Sequence, residues 1–119
     1  MPLTIQSNVS GKVAALQLKG SIAGILDATD LRDQIGSASS AGVLWVVLDC
    51  TDLTYVNSLG LGMIIASLTA LRNRGGDVCL SCVSSDIIES LTKTLLTRVI
   101  QIFDTTEQAV AAFGGKDSK

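Results

Sequence analysis

The chain has 119 residues, 47% of them hydrophobic and 17% charged, and a net charge of −2. This length suits one domain, and this balance is typical of a globular protein rather than a disordered one. A nucleic-acid partner is disfavoured, because a slightly acidic chain with 3% aromatic residues has little with which to neutralise phosphates or stack on bases.

Nothing in the sequence predicts a membrane segment. The longest strongly apolar run, residues 43–48, is far shorter than the ~20 residues that a spanning helix needs. The first residues carry neither a basic region nor a long apolar segment before a cleavage site. We therefore expect no membrane association and a cytoplasmic protein.

The chain begins with a pattern typical of a β-hairpin. Apolar residues alternate, with breaks, over residues 3–9, and an extended pattern resumes over residues 13–18. Ser10-Gly11 separates the two segments and predicts the turn between them.

A helix and a buried strand are predicted next. From about Asp27, apolar residues recur at helical spacing until the small-residue stretch at 36–42. Residues 43–48 are apolar at every position, as expected for a central parallel strand that is covered on both faces. Residues 49–57 are rich in turn-forming types and predict a connection.

The second half of the chain alternates helices with strands. The predicted elements are a helix over residues 61–74 that Gly75-Gly76 stop, a strand over 78–83, a capped helix over 84–96, a strand over 99–103 and a short final helix capped by 104–106. Strands that alternate with helices imply right-handed crossovers.

The predicted architecture is therefore an α/β fold. We expect a mixed, mostly parallel sheet of about five strands, with an antiparallel N-terminal hairpin and about four helices. The sequence shows no repeat and no linker, so residues 1–113 are predicted to form one domain. Residues 114–119 are expected to be a disordered C-terminal tail.

The residues offer little for catalysis or for metal binding. The chain has no histidine, the commonest general base and metal ligand. Cys79 and Cys82 have the spacing of a redox or metal motif, but a strand over 78–83 would send them to opposite faces. We expect reduced, structural thiols, no metal and no enzyme; aspartates such as Asp27 and Asp52 are expected to cap helices or to be solvated.

The segment at residues 56–62 is the most informative one. It follows the central strand and enters the longest helix, where open α/β sheets place their working sites. Gly60 and Gly62 belong to no phosphate-binding fingerprint, because no GxGxxG and no lysine-bearing P-loop follows. Both disfavour a helix, which indicates either a partner or backbone that comes close or tight packing of the helix on the sheet.

Three stretches of the chain match the pattern of a known family. They are Trp45-Val46-Val47-Leu48-Asp49, Val56-Asn57-Ser58-Leu59-Gly60-Leu61-Gly62 and Arg74-Gly75-Gly76-Asp77. They resemble the STAS domain of bacterial anti-sigma factor antagonists, in which a strand ending in Asp leads to an Asp-Ser-x-Gly-Leu-Gly motif at a helix start. Gly20, the order of strands and helices and residues 102–109 extend the resemblance over almost the whole chain.

The resemblance implies a phosphorylation-controlled protein-binding switch. In the family, the serine of the motif is phosphorylated by an anti-sigma factor that is also a serine kinase, and only the unphosphorylated form binds that factor. By motif position Ser58 is the phosphoacceptor, in a helix start formed by Asn57, Leu59, Gly60, Leu61 and Gly62. The partner surface that the resemblance implies comprises Gly20, Ser21, Asp52, Asn57, Ser58 and Met63. No cofactor is expected, and a weak homodimer stays open.

The chain departs from the family pattern at two positions. Asn57 stands where the family usually has Asp, and Ala23 stands near where many members have an acid. Asn57 can still cap the helix. The alternative role for Ser58 is to help cap the helix, and the alternative function is a STAS scaffold or sensor that binds proteins or a small ligand without phosphorylation.

Overall fold

The computed structural model describes residues 3–117, with side chains placed for residues 3–115, and it contains one mixed sheet. Its strands are β1 Thr4–Ser10, β2 Val13–Ile22, β3 Trp45–Val56, β4 Asp77–Ser81 and β5 Gln101–Phe103. They lie side by side in chain order; β1 is antiparallel to β2, and the other neighbouring strands are parallel. The predicted mixed sheet with an antiparallel hairpin at its edge is confirmed.

Four helices cover the two faces of the sheet. They are α1 Ile25–Ser40, α2 Ser58–Asn73, α3 Ser85–Lys93 and α4 Thr106–Asp117, with a 3-10 turn at Leu96–Arg98. α1, α2 and α3 pack on one face, and α4 packs on the other through Ala109 and Phe113. Among residues 3–117, no helix has the length and apolarity needed to cross a membrane.

Alternation along the inner strands builds the two cores. Leu16, Val46 and Leu48 point towards α1 to α3, whereas Val13 and Val47 point towards α4. Period-two alternation accounts for this division, because successive strand residues face opposite sides of a sheet. The fully apolar run at the centre of the sequence is thus the strand that both helical layers cover, as predicted.

β3 is longer than the sequence predicts. The expected connection at residues 49–57 is instead strand as far as Val56, and it pairs with the second half of β2. The pairing is irregular between Gly20 and Ser21, where Gly20 has a φ of 104°, a conformation that favours glycine. Leu53 and Val56 are buried in the main core and anchor this part of β3. The residues between them therefore belong to a strand rather than to a loop.

The C-terminal expectation is wrong for residues 114–117. α4 continues to Asp117, past the point at which a disordered tail is predicted to begin. Phe113 is fully buried against the sheet and holds the helix there. The remaining two tail residues, 118 and 119, lie outside the described part of the chain.

Cys50, Cys79 and Cys82 form no disulfide in the described part of the chain. Cys79 lies in the core beneath α4. Cys82 falls within the strand predicted over residues 78–83 but lies outside the observed strand, because β4 ends at Ser81 and Cys82 has a φ of 55°. The Cys82 Sγ instead lies 3.7 Å from the Thr106 Oγ1 at the start of α4.

Candidate protein-interaction site

Asn57 organises the start of α2. Its backbone is extended, and its Oδ1 accepts a hydrogen bond from the Gly60 N–H at 2.9 Å, which is the geometry of an N-cap. Its own N–H donates to the Ile22 carbonyl at 2.9 Å. The cap expected from the sequence is therefore present, and it is formed by Asn57 rather than by Ser58.

The Asn57 amide also joins two connections of the fold. Its Nδ2 donates a hydrogen bond of 2.8 Å to the Ala23 carbonyl, in the loop between β2 and α1. A carboxylate has no N–H to donate, so an Asp at this position could not make this bond. The departure from the family's usual Asp thus has a structural role here.

Asp27 holds the same loop from its other side. Its carboxylate accepts from the N–H groups of Ala23, Gly24 and Leu3 at 3.3, 3.3 and 3.4 Å. These backbone bonds, that of Ala23 foremost, lower the pKa of Asp27 below its ordinary value, since they favour the charged form. The loop beside Asn57 is therefore fixed by side-chain bonds at both ends.

Ser58 is the first residue of α2, and its side chain is exposed. Within the described part of the chain, no group makes a hydrogen bond to the Ser58 hydroxyl, since Asn57 already supplies the cap. The N–H groups of the first turn that lack intrahelical acceptors, together with the helix dipole, favour negative charge at this position. A hydroxyl placed in this way is available for modification or for contact with a partner.

The two glycines of the motif have different surroundings. Gly60 is buried, and a Cβ there would lie 2.6 Å from Ile22 Cγ2 and 2.8 Å from Val56 Cγ2. Tight packing of the helix on the sheet therefore explains Gly60. A Cβ on Gly62 would meet nothing within 4 Å, so packing inside this chain does not explain that glycine.

Four exposed apolar side chains lie on the elements that flank two junctions, the β2–α1 loop and the β3–α2 junction, which the Asn57 side chain links. Ile25 and Leu26 begin α1 and are 69% and 77% exposed, while Tyr55 and Leu59, on either side of the cap, are 54% and 43% exposed. We call these four residues the apical patch. Exposed apolar residues that occur together are typical of interaction surfaces.

The apical patch is not predictable from the local sequence pattern. Ile25 and Leu26 precede the point at which the helical pattern becomes recognisable, and Tyr55 falls in the segment read as a turn. The available signal was their residue type, because large apolar side chains in a segment read as a solvated connection are unusual.

Ser58 also borders a shallow groove between α2 and the segment that follows α3. The groove has a volume of about 250 Å³ and is lined by Ser58, Leu61, Gly62, Ile65, Thr94 and Leu96. Its lining is mostly apolar, and the open space at Gly62 forms part of it. We call it the α2–α3 groove. Ser58 and the exposed glycine of the motif therefore share one concave surface.

The remaining residues of the implied partner surface lie in three environments. Gly20 is buried, and its carbonyl accepts a hydrogen bond of 2.9 Å from the Thr54 hydroxyl. Ser21 is half-buried opposite Tyr55 of the apical patch. Asp52 lines a polar groove with Gln6, Gln17 and Lys19, and Met63 lines a groove between α1 and α2. The structure thus brings Ser21, Asn57 and Ser58 together and places Asp52 and Met63 in separate grooves.

The arrangement at the start of α2 offers exposed surface for binding. Between residues 3 and 117, no cluster of three or more potential metal ligands occurs. Burial raises the pKa of the Cys50 thiol to about 12, so this side chain stays protonated and is a poor nucleophile. The distinctive features are an exposed hydroxyl, apolar neighbours and a rigid helix start.

Comparison with known proteins agrees with the fold. A family model described as the STAS domain matches residues 4–109. TM1081 of Thermotoga maritima is 21% identical, with a TM-score of 0.82, and the alignment covers 91% of this chain and 92% of that one.

Two further solved structures are similar. The anti-sigma factor antagonist SpoIIAA of Bacillus, in its phosphorylated form, is 18% identical with a TM-score of 0.74, and the alignment covers 92% of this chain and 99% of that one. A sulfate transporter family protein from Wolinella succinogenes is 15% identical with a TM-score of 0.70, covering 88% and 87%. These likenesses show the shared fold.

Proposed function

Because the chain belongs to the STAS domain family, we propose that it is an anti-sigma factor antagonist controlled by phosphorylation of Ser58. The unphosphorylated form binds an anti-sigma factor that is also a serine kinase, and this binding releases a sigma factor. The protein acts without a cofactor and without catalysis of its own, and it is expected in the cytoplasm of a bacterium, where such partners operate.

One observation carries this proposal: an exposed, unbonded Ser58 at the start of a helix that another residue already caps. Because Asn57 makes the cap, the Ser58 hydroxyl has no structural bond that modification would break. Structures of SpoIIAA are known in a phosphorylated and an unphosphorylated form, which supports a phosphoacceptor in a protein of this fold.

Two other hydroxyls near the motif are poorer acceptors. The Thr54 Oγ1 donates to the Gly20 carbonyl at 2.9 Å, and the Ser67 Oγ donates to the Met63 carbonyl at 3.0 Å. Ser67 is also largely buried, on the side of α2 that faces α1. Phosphorylation at either position would break an internal bond, whereas phosphorylation of Ser58 would not.

Phosphorylation leaves the fold intact and changes the surface. A phosphate on Ser58 meets the positive end of the α2 dipole, which favours negative charge by about 0.3–1 kcal/mol. In a docked interface the same group brings roughly −1.5 to −2 charges that must be stripped of water. The modified protein is therefore folded but unable to dock.

The apical patch and the α2–α3 groove supply the attraction that phosphorylation opposes. Leu59 follows Ser58 in the chain, and Ile25, Leu26 and Tyr55 expose apolar surface on segments adjoining the backbone that Asn57 ties to the start of α2. Burying such surface is favourable by roughly 25 cal/mol per Å². A partner that fills the α2–α3 groove also meets Ser58, which is one of its lining residues. Binding and phosphorylation therefore compete for the same place on the molecule.

Transfer of labelled phosphate from a candidate anti-sigma factor kinase tests the proposal. The Ser58 Oγ would bond to the γ-phosphorus of a nucleoside triphosphate, its proton passing to a base on the kinase and the diphosphate leaving. Mass spectrometry should find the label on Ser58, and Ser58→Ala should abolish it. Label on Thr54, Ser67 or Ser85 with Ser58 unmodified contradicts the assignment.

A second function is favoured by the groove between α1 and α2. This groove has a volume of about 310 Å³ and a mostly apolar lining that includes Ile35, Met63 and Leu71, with Arg32 at its border. Small-molecule sites commonly have this size and character. A STAS sensor that binds a small ligand there, without phosphorylation, is the alternative. Ligand-dependent rises in melting temperature that Met63→Glu removes would support it.

A further inference from the structure

The outer side of β1 is an open edge of the sheet. β1 pairs with β2 on one side, and among residues 3–117 no strand pairs with its other side. An open edge presents unpaired backbone N–H and C=O groups to solvent. We propose that a second copy of this chain pairs antiparallel with β1 across a two-fold axis, joining two sheets into one.

The hairpin turn determines which backbone groups face outward. Ser10 lies opposite Val13, so only two residues form the turn, and Gly11 has a φ of 60°. The residues that flank a two-residue turn form a hydrogen-bonded pair, and bonded and non-bonded pairs then alternate along the hairpin. Thr4, Gln6 and Asn8 therefore bond to β2, while Ile5, Ser7 and Val9 present their N–H and C=O groups to the open edge.

These outward groups define one self-complementary register. If the two-fold axis passes beside Ser7, each Ser7 faces its copy, and Ile5 of each chain faces Val9 of the other. Pairing in this register makes about six backbone hydrogen bonds between the copies. It also covers Val9, which is 53% exposed, with Ile5, which already packs against the main core. A cross-strand pair of two β-branched residues favours the register.

The composition of β1 permits this pairing. Across a two-fold axis, each side chain lies close to the same residue of the other copy or to a near neighbour of that residue. A charge on the strand would therefore face a like charge and weaken the pairing. The seven residues of β1 include no charged residue and no proline, which are two of the devices that protect an edge. The opposite edge is less suitable, since β5 has only three residues.

The proposed dimer leaves the site at Ser58 uncovered. None of the residues of the apical patch or of the α2–α3 groove belongs to β1. A strand-pairing contact of this length is small and falls in the class of weak, reversible interfaces. Dimer formation and partner switching are therefore separate properties, and either can fail without the other.

Charge placed at Ser7 tests the register. Sedimentation equilibrium between about 10 µM and about 1 mM, the range of weak complexes, should show a monomer–dimer equilibrium for the wild type. Ser7→Asp and Ser7→Lys each place like charges across the axis and should raise the dissociation constant about fivefold or more. An equimolar mixture of the two variants should restore association as a mixed dimer, because the facing charges are then opposite.

Gln17 provides the matched control. It is exposed on the same hairpin, but it belongs to β2 and lies away from the open edge. Gln17→Asp and Gln17→Lys should leave the dissociation constant of the dimer unchanged. Melting curves of all four variants establish that each is folded.

Hydrogen exchange of the wild type gives a readout that needs no variant. At high concentration the amides of Ile5, Ser7 and Val9 should gain protection, whereas those of Gln6 and Asn8 are already protected by β2 at low concentration. A wild-type monomer throughout the concentration range would overturn the proposal. So would a dimer that both Ser7 variants leave unchanged, or one whose protection appears outside β1.

Discussion

The starts of α2 and α3 share a local plan. Each follows a parallel strand, and each has a polar N-cap, Asn57 for α2 and Ser84 for α3. Each also has an exposed serine as its first helical residue, Ser58 or Ser85. The N-cap and the first helical residue alone therefore do not distinguish Ser58 from Ser85.

The two starts differ in what surrounds them. The third helical residue is Gly60 in α2 and Ile87 in α3, so α2 approaches the sheet without an intervening side chain. The cap bond measures 2.9 Å at Asn57 and 3.4 Å at Ser84, and Ser85 is followed by the acidic Asp86. The comparison indicates what makes a helix-start serine a candidate switch. The helix start is held firmly on the sheet, its neighbours are apolar, and its first turn contains no acidic residue.

The largest effect is expected on partner binding. Ser58→Glu places a charge in the proposed contact surface, and stripping that charge of water should weaken binding of the anti-sigma factor by about 3 kcal/mol, roughly a hundredfold. Ser85→Glu adds the same charge at the equivalent position of α3 and should change binding by less than about threefold. Calorimetric titration of both variants measures the difference.

Ser58→Ala completes that experiment. It leaves a neutral surface, so it should bind as the wild type does, and urea melts of all three variants should agree within about 1 kcal/mol. Ser58→Glu that folds normally and binds with undiminished affinity would remove Ser58 from the contact surface. The sensor function would then be the better supported one.

The next effect concerns the close approach of α2 to the sheet. Gly60→Ala forces a methyl group against Ile22 and Val56 and should lower the free energy of unfolding by about 1–3 kcal/mol. Gly62→Ala enters open space and should raise it by about 0.5–1 kcal/mol, because alanine favours a helix. Urea denaturation of the two variants provides the matched pair.

A Gly62→Ala protein that is stable but binds the partner poorly would add information. It would assign Gly62 to the contact surface, since no packing within the chain requires a glycine there. Equal destabilisation by both substitutions would contradict the packing explanation for Gly60.

A smaller effect is expected at the caps. Asn57→Ala loses the N-cap and the bond to Ala23 and should destabilise the protein by about 1–2 kcal/mol, whereas Ser84→Ala loses only the longer cap bond and should cost about 0.5–1 kcal/mol. Asn57→Asp separates the two roles, because it keeps an acceptor for Gly60 and loses the donor to Ala23. Thermal melts of the three variants order these contributions. A carboxylate at the N-cap gains about 0.3–1 kcal/mol from the helix dipole, so an Asn57→Asp protein that is more stable than the wild type by that full amount would show that the bond to Ala23 contributes nothing.

The smallest effect concerns pH and the loop beside Asn57. The pKa of Asp27 is lower in the folded protein than the ordinary carboxyl pKa of 3.8. Its contribution to stability is therefore fully present above pH 3.8 and is lost as the pH falls through the lower pKa of the folded state. Asp27→Asn should therefore lower the melting temperature by a few degrees near neutral pH, and the gap from the wild type should close in acid. A gap that is constant with pH would show that the charge of Asp27 does not act through these bonds.

Much of the fold was predictable because the hydrophobic pattern of each segment indicates the same element that the folded sheet requires at that place in the chain. The apolar run at the centre of the sheet could only be a doubly covered strand, and Gly75-Gly76 marked the end of α2. The hairpin followed from Ser10-Gly11 between two extended segments. In each case the local signal and the tertiary requirement point the same way.

Other features depended on contacts that local patterns do not contain. Residues 49–56 are polar enough to be read as a turn, yet they form strand because β2 extends beside them and Leu53 and Val56 anchor them. The donor role of Asn57 depends on the Ala23 carbonyl, 34 positions earlier in the chain. The apical patch was missed for the same reason, since its side chains belong to two connections that only the folded chain joins.

The strand order of the sheet bears on how the chain acquires its fold during synthesis. Every strand lies beside the one that precedes it in the chain, from β1 to β5. Each strand that leaves the ribosome can therefore dock on an edge that already exists, and no strand must be inserted between two earlier ones. Domains generally fold as units from the N-terminal end during synthesis, and sequential neighbours keep the loops that must close short. We expect the β1–β2 hairpin to be the template onto which the later strands are added in turn.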